Sequence, residues 1–258
     1  MTFTAAEMMT VAAARALGND DVCFVGIGLP SAACNLARLT HAPRLRLVYE
    51  SGTIETKPTV LPLSIGDGEL CETALTTVPV PEMFSYWLQG GRITVGFLGG
   101  AQVDRFGNLN STVIGDYARP KVRLPGSGGA TEIATSCHKI FIVMRHSPRA
   151  FVDQLSFLTS LGHGRTGRER QALGIRTAGP VLLVSDLGTM RPHPETNEFQ
   201  VASLHPGVTR ETVTSQTGWP VTFAASVEET PAPTADELGV LRDLNARTAA
   251  AHGVAAGE

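Results

Sequence analysis

The chain has 258 residues, 43% of them hydrophobic and 17% charged, and carries a formal net charge of −3. That length can bury a sizeable core, and that composition excludes a disordered or collagen-like chain. With no basic surplus and no Lys/Arg cluster interleaved with aromatics, the sequence gives no support to a nucleic-acid or anionic-membrane partner.

In chain order, residues 5 to 17 have the pattern of an amphipathic helix ending near Gly18. The opening segment has neither a basic start nor an uninterrupted apolar run, and nothing approaches the roughly 20 apolar residues of a membrane span. A cytoplasmic protein is expected. "DVCFVGIGLPS" predicts a short strand, a glycine turn and a helix that Pro30 opens at its first position. "RLRLVYE" alternates polar and apolar residues and ends at Glu50. "RITVGFLGG", "KIFIVM" and "VLLVSD" are further apolar runs of strand length. Such runs, separated by helical or looped segments, predict an α/β fold: an open three-layer α/β/α arrangement with a mostly parallel sheet covered on both faces.

"AQVDRFGNLNSTVIGD" predicts a hairpin turning at Arg105 to Asn108. "SLGHGRTGRERQALGIRTAGP" has no periodicity and predicts a surface loop or excursion. Thr234 and Glu237 have capping-box spacing, opening a helix through about Arg247. With no internal repeat and no long linker, residues 1–258 are expected to form a single domain whose tail, from about 248 to 258, is frayed. The four cysteines, Cys23, Cys34, Cys71 and Cys137, are widely spaced without a C-x-x-C pair, so they predict small core residues in a reducing compartment and no metal site.

Three features carry chemistry. Glu50 in "YESGT" ends a core strand, where an ionised carboxylate costs desolvation energy unless something pairs with it or uses it. Gly99 and Gly100 follow the strand "ITVGFL", and glycines at a strand exit let backbone amides approach a ligand, as an oxyanion hole requires. "LPGSGGATEIA" sets Gly126, Gly128 and Gly129 before a helix beginning near Ala130, a place suited to an anionic group. Plainer readings stand beside these: Glu50 paired with Arg44 or Arg46, Gly99 and Gly100 as a bulge or tight turn, His163 and His205 as turn residues. Tyr49, Phe84, Trp87 and Phe97 are candidates to line a crevice or simply to fill the core. Neither a dinucleotide-binding G-x-G-x-x-G nor a P-loop is present.

The succession "GIGLP", "YESGT", "FLGGAQVDRFGNLN", "PGSGGA" and "HPGVT" resembles the β subunit of class I coenzyme A transferases, of the glutaconate and 3-oxoacid type, over residues 5 to about 245. The resemblance implies the CoA-transferase fold, with Glu50 as covalent nucleophile and Gly99 and Gly100 over the reacting carbonyl. It also implies Gly126, Gly128, Gly129 and Ala130 beside the coenzyme A arm. An α subunit is the implied partner in a hetero-oligomer, an acyl-CoA and a carboxylic acid are the implied substrates, and no cofactor is bound permanently. The 3-oxoacid enzymes usually read S-E-N-G, whereas Glu50-Ser51-Gly52 is closer to the glutaconate type. Related enzymes that cleave or decarboxylate tend to lack the glutamate. The expected reaction is therefore ping-pong transfer through a glutamyl-CoA thioester on Glu50. The alternatives are a CoA-thioester hydrolase or C–C bond-cleaving or decarboxylating relative, and a non-catalytic ligand-binding subunit on the same fold.

Overall fold

A computed structural model describes residues 2–253. The chain divides into two compact units, Met1–Phe97 with Ala232–Glu258, and Leu98–Pro231. One boundary falls inside a strand and the other in the stretch 230–234, which has no regular secondary structure.

In the first unit, β1 (Val22–Phe24), β2 (Arg46–Val48), β3 (Thr53–Ile54), β4 (Thr76–Thr77) and β5 (Val95–Leu98, which runs on into the second unit) follow the spatial order β5-β1-β2-β3-β4. β1 is parallel to both β2 and β5, while β2–β3 and β3–β4 are antiparallel. Every residue of β1 and β5 is buried. Successive strand side chains point to opposite faces, so unbroken burial means that both faces are covered. The helices Ala5–Arg15, Leu29–Leu39 and Ala235–His252 pack on one another. As the glycine turn predicts, Gly28 caps the second of them at φ 79° and Pro30 lies in its first turn.

The first and last of these helices begin with capping boxes, Thr4 with Glu7 and Thr234 with Glu237. Each capping glutamate also takes an arginine from the other helix: Arg242 reaches Glu7 at 2.6 Å and Arg15 reaches Glu237 at 2.7 Å. The Arg242 hydrogen bond holds the Glu7 carboxyl below its ordinary value. Burial works against ionisation of Glu237, yet Arg15 and the Thr234 amide still hold its carboxyl low. The last helix does not stop near Arg247: it continues to His252 and closes on Gly253 in the left-handed conformation. The rest of the expected frayed tail, residues 254–258, lies outside the described residues.

In the second unit, β6 (Gln102–Val103) and β7 (Leu109–Asn110) form the expected hairpin, with Gly107 at φ 69° in its turn. β8 (Val113–Gly115) pairs antiparallel with β9 (Pro120–Arg123). The larger sheet here is ordered β14-β13-β12-β11-β10, from β10 (Lys139–Val143), β11 (Pro180–Val184), β12 (Gly188–Pro192), β13 (Phe199–Leu204) and β14 (Thr222–Glu229). β10–β11 and β13–β14 are parallel, and the pairings of β12 are antiparallel. The fold is α/β with mixed sheets, in which both parallel and antiparallel pairs occur.

Two expectations are corrected. The segment 160–180 is only in part a surface loop: residues 171–174 are exposed, but His163 is 4% and Arg170 3% exposed. The Arg170 guanidinium donates to the carbonyls of Ala134 (2.6 Å), Gly162 (3.1 Å), Leu161 (3.3 Å) and Thr177 (3.1 Å), and to the Thr177 hydroxyl (2.6 Å). Burial brings its pKa down to about 10, which leaves it charged at neutral pH. Cys71 is exposed, whereas Cys23, Cys34 and Cys137 are buried as expected. The His205 carbonyl does open a turn, accepting the Val208 amide at 3.0 Å, but neither His163 nor His205 lies at the surface. Each is buried, with Nε2 on a carbonyl, of Pro180 (2.9 Å) and Ser185 (2.8 Å) respectively. Among the described residues no helix is long and apolar enough to cross a membrane, and no group of three or more His, Cys, Asp or Glu could hold a metal ion.

Arg170→Ala strands several buried carbonyls at once, so it should lower unfolding free energy by roughly 3 kcal/mol or more in urea titrations. Unchanged stability would show the guanidinium to be dispensable. A second expectation concerns pH. His146 stacks on Phe151 with ring centroids 3.6 Å apart and contacts the Ser185 and Thr217 hydroxyls. Burial depresses its pKa to about 4, against the pull of Asp186. The unfolded chain therefore takes up a proton near pH 6.5 that the folded chain refuses. Stability should be full above that pH and fall by up to about 3 kcal/mol toward pH 4. His146→Asn should lose less stability than the wild type between pH 7 and 5, and equal slopes would overturn the assignment.

Candidate active site

β2 ends at Val48 and the chain turns at once: the Gly52 amide donates to the Tyr49 carbonyl (2.9 Å) and the Tyr49 amide to the Thr53 carbonyl (3.0 Å). Tyr49 is fully buried, its phenol 2.8 Å from the Ser31 hydroxyl, and burial pushes the pKa of that phenol up. Below it, Asn35 Nδ2 donates to the Ser31 carbonyl (3.0 Å) and Arg38 donates to Asn35 Oδ1 (3.0 Å). This network anchors the turn from within. Gly52 closes it at φ 104°, where a β-carbon would lie 1.9 Å from the Val78 carbonyl oxygen. No side chain fits there.

Glu50 is held at the head of this turn, half-buried. Among the described residues its carboxylate has neither an ion pair nor a hydrogen bond. The pairing with Arg44 or Arg46 is not found: Arg44 lies 3.8 Å from Asp20, and Arg46 makes no ion pair with Glu50. Beside it, Ser51 Oγ and Thr53 Oγ1 are buried without a protein partner. A buried hydroxyl left without a partner costs about 1–3 kcal/mol. Sequence reasoning passed over both hydroxyls, although they flank Glu50 in "YESGT".

The glycines belong to the second unit, and Glu50 to the first. Gly99 is exposed and Gly100 half-buried directly after β5, and among the described residues neither amide has a hydrogen-bond partner. A β-carbon on Gly100 would lie 2.9 Å from the Asn110 carbonyl oxygen, which already accepts from the Ala101 amide at 2.8 Å. Gly100 is thus needed by the β6–β7 hairpin itself. At Gly99 the nearest atom to such a carbon is the Val143 carbonyl oxygen, at 3.2 Å.

Gly126 and Gly128 have φ of 101° and 46°, and β-carbons on them would meet nothing within 4 Å. Conformation, not crowding, calls for glycine at both positions. Ser111 fixes the loop from both sides, accepting the Gly126 amide at its carbonyl and donating its hydroxyl to the Gly126 carbonyl, each at 2.8 Å. Gly129 then caps the helix Ala130–Ser136. Asn110 and Ser111, adjacent in the chain, tie Gly100 and Gly126 to one piece of backbone. Of the aromatic candidates, Tyr49 and Phe97 are core, while Phe84 and Trp87 are half-buried and Phe84 packs edge-on against Phe24.

Because the Gly52 turn admits no side chain, Gly52→Ala should cost at least about 2 kcal/mol of stability. Thermal unfolding checks this, and an unchanged melting temperature would mean that the turn relaxes freely.

Comparison with known proteins places this arrangement. Residues 6–216 match the family model described as coenzyme A transferase. The chain is 65% identical over 252 residues to the β subunit of the 3-oxoadipate CoA-transferase of Pseudomonas knackmussii, covering 98% of this chain and 97% of that protein. It is 35% identical over 243 residues to the β subunit of the glutaconate CoA-transferase of Acidaminococcus fermentans, covering 92% and 91%. The crystal structure of glutaconate coenzyme A-transferase from that organism superposes with a TM-score of 0.88 at 32% identity, over 93% of this chain and 94% of that one. On a shared fold, a shared family and near-complete coverage, the chain belongs to the class I coenzyme A transferases as a β-type subunit.

Proposed function

We propose that this subunit, joined to an α subunit in a cytoplasmic hetero-oligomer, transfers coenzyme A from an acyl-CoA to 3-oxoadipate or a closely similar 3-oxo acid, with Glu50 as covalent carrier. The observation that supports it most is the unpaired, half-buried Glu50 carboxylate at the head of a turn that admits no side chain at Gly52. The 65% identity to a 3-oxoadipate enzyme, against 35% to a glutaconate enzyme, favours the oxo acid over the reading suggested by E-S-G alone. Four widely spaced cysteines with no C-x-x-C pair suit a reducing compartment.

A Glu50 oxygen attacks the thioester carbonyl, and the tetrahedral adduct expels CoA thiolate to leave a mixed anhydride. The thiolate then attacks the glutamyl carbonyl, releasing the first carboxylate and leaving a glutamyl-CoA thioester. The oxo acid's carboxylate attacks that thioester in turn, and the same steps in reverse return Glu50 and release the new acyl-CoA. An ion-paired carboxylate would have to break its pair before attacking; Glu50 has none to break among the described residues. Each adduct carries an oxyanion, which the unpartnered amides of Gly99 and Gly100 would stabilise by about 3 kcal/mol each. Holding nucleophile and thioester together supplies several kcal/mol more. Both the anhydride and the thioester hydrolyse if water reaches them, so the reaction requires a closed cleft. Gly126 to Ala130 would border the coenzyme A arm.

In the complex with its α subunit, adding acyl-CoA and then hydroxylamine should place a hydroxamate on Glu50, and borohydride should reduce the same carboxyl to an alcohol, both read by peptide mass spectrometry. Glu50→Gln should cut transfer by roughly 10⁴-fold. Full activity in that variant, or a label elsewhere, would end the covalent reading. Free CoA released without an acceptor would favour a hydrolase.

A further inference from the structure

Although the chain is acidic overall, the β8–β9 hairpin is strongly cationic. Arg119, Lys121 and Arg123 fall at alternate positions on and just before β9, and Lys121 and Arg123 share one face of that strand. All three are exposed, and among the described residues none has a carboxylate partner. The hairpin's one acidic residue, Asp116, is occupied: its Oδ1 accepts the amides of Ala118 (2.8 Å) and Arg119 (2.9 Å).

Two of the cations are held in place. Arg123 lies 4.7 Å over the Tyr117 ring and donates to the Tyr117 carbonyl at 2.9 Å, and Tyr117 is itself stacked with Phe157, ring centroids 5.4 Å apart. The Lys121 stem crosses Gly115, where a β-carbon would stand 3.2 Å from Lys121 Cγ. Past Arg123, the Leu124 amide donates to the Thr112 carbonyl (3.0 Å) and Gly126 is fixed to Ser111. The cations therefore lead into the open glycine loop, and the three-residue step from Arg123 to Gly126 spans at most about 10 Å.

We infer that the β8–β9 hairpin binds the phosphate-bearing nucleotide end of coenzyme A through Arg119, Lys121 and Arg123. This deepens the proposed function and rests on it for the identity of the ligand. Unpaired cations at alternate strand positions, one of them fixed by an aromatic stack, suit a flexible polyphosphate group, which needs several charge-assisted contacts and little shape complementarity. The glycine loop that follows lets the pantetheine arm run on close to backbone.

The test uses the complex with its α subunit, carrying Arg119→Ala with Lys121→Ala, or the charge-retaining pair Arg119→Lys with Lys121→Arg. Calorimetric titration with adenosine 3′,5′-bisphosphate should show salt-sensitive binding to the wild type, weakened about tenfold or more by the alanine pair and little by the charge-retaining pair. KM for acyl-CoA should rise by a similar factor, while turnover of the corresponding acyl-pantetheine, which lacks the nucleotide, stays unchanged. The inference is overturned if the alanine pair binds the bisphosphate as the wild type does, if the wild type does not bind it, or if acyl-pantetheine turnover falls equally. A wild-type complex that transfers no coenzyme A would instead refute the proposed function, and the bisphosphate titration would still judge the hairpin.

Discussion

The backbone at Gly52 passes so near the Val78 carbonyl that a β-carbon would stand 1.9 Å from its oxygen. From this approach the direction of Glu50 follows. The Val78 amide donates back to the Gly52 carbonyl at 2.9 Å, so β4 fixes the turn on one side, while buried Tyr49 and its hydroxyl network fix it on the other. The turn that permits no side chain at Gly52 thus fixes the backbone that carries the acid two residues earlier.

The second unit repeats the device with glycine amides. Gly100 is needed because the Asn110 carbonyl crosses over it, and Gly126 takes up a conformation that L side chains rarely adopt while Ser111 fastens it on both sides. Because Asn110 and Ser111 are neighbours, the strand-exit amides and the glycine loop are set by one short stretch of β7 and its continuation. Asn110 is fully buried, and its side-chain amide donates to Gln102 Oε1 (2.8 Å) and to the Val113 carbonyl (2.7 Å). Any shift of this residue would move both glycine segments together.

What the sequence revealed was local. Capping boxes depend on a three-residue spacing and both are legible in the chain, as are the Pro30 helix start, the hairpin turn at Gly107 and the apolar runs of the buried strands. Segment 160–180 misled because its glycines serve packing. A β-carbon on Gly162 would lie 2.4 Å from the backbone of Gly107, and one on Gly167 would lie 2.1 Å from the Thr196 carbonyl oxygen. Arg170 misled for a related reason: its acceptors are carbonyls of residues 134, 161, 162 and 177, which no spacing announces. For the site, sequence pattern identified Glu50 and the glycines as candidates but could not decide whether Glu50 was paired, since that turns on where Arg44 points. The tripeptide E-S-G leaned toward the glutaconate enzymes, whereas identity along the whole chain leans toward the 3-oxoadipate enzyme.

Net charge misled in a subtler way. A total of −3 excludes a basic protein yet says nothing of how cations are distributed, and here the distribution is the informative quantity. Arginines in the first unit are largely engaged away from Glu50: Arg15 and Arg242 tie the terminal helices together, Arg38 caps Asn35 and the Pro58 carbonyl, and Arg247 reaches the Thr59 carbonyl. In the second unit, Arg119, Lys121 and Arg123 follow at alternate positions on and just before β9, exposed and with no carboxylate partner among the described residues. A nucleophilic carboxylate and a polyphosphate ligand make opposite demands, since the first loses reactivity in an ion pair and the second binds only where cations are free. Arg44 and Arg46, the arginines nearest Glu50 in the sequence, form no ion pair with it, and Arg119, Lys121 and Arg123 likewise have no carboxylate partner among the described residues.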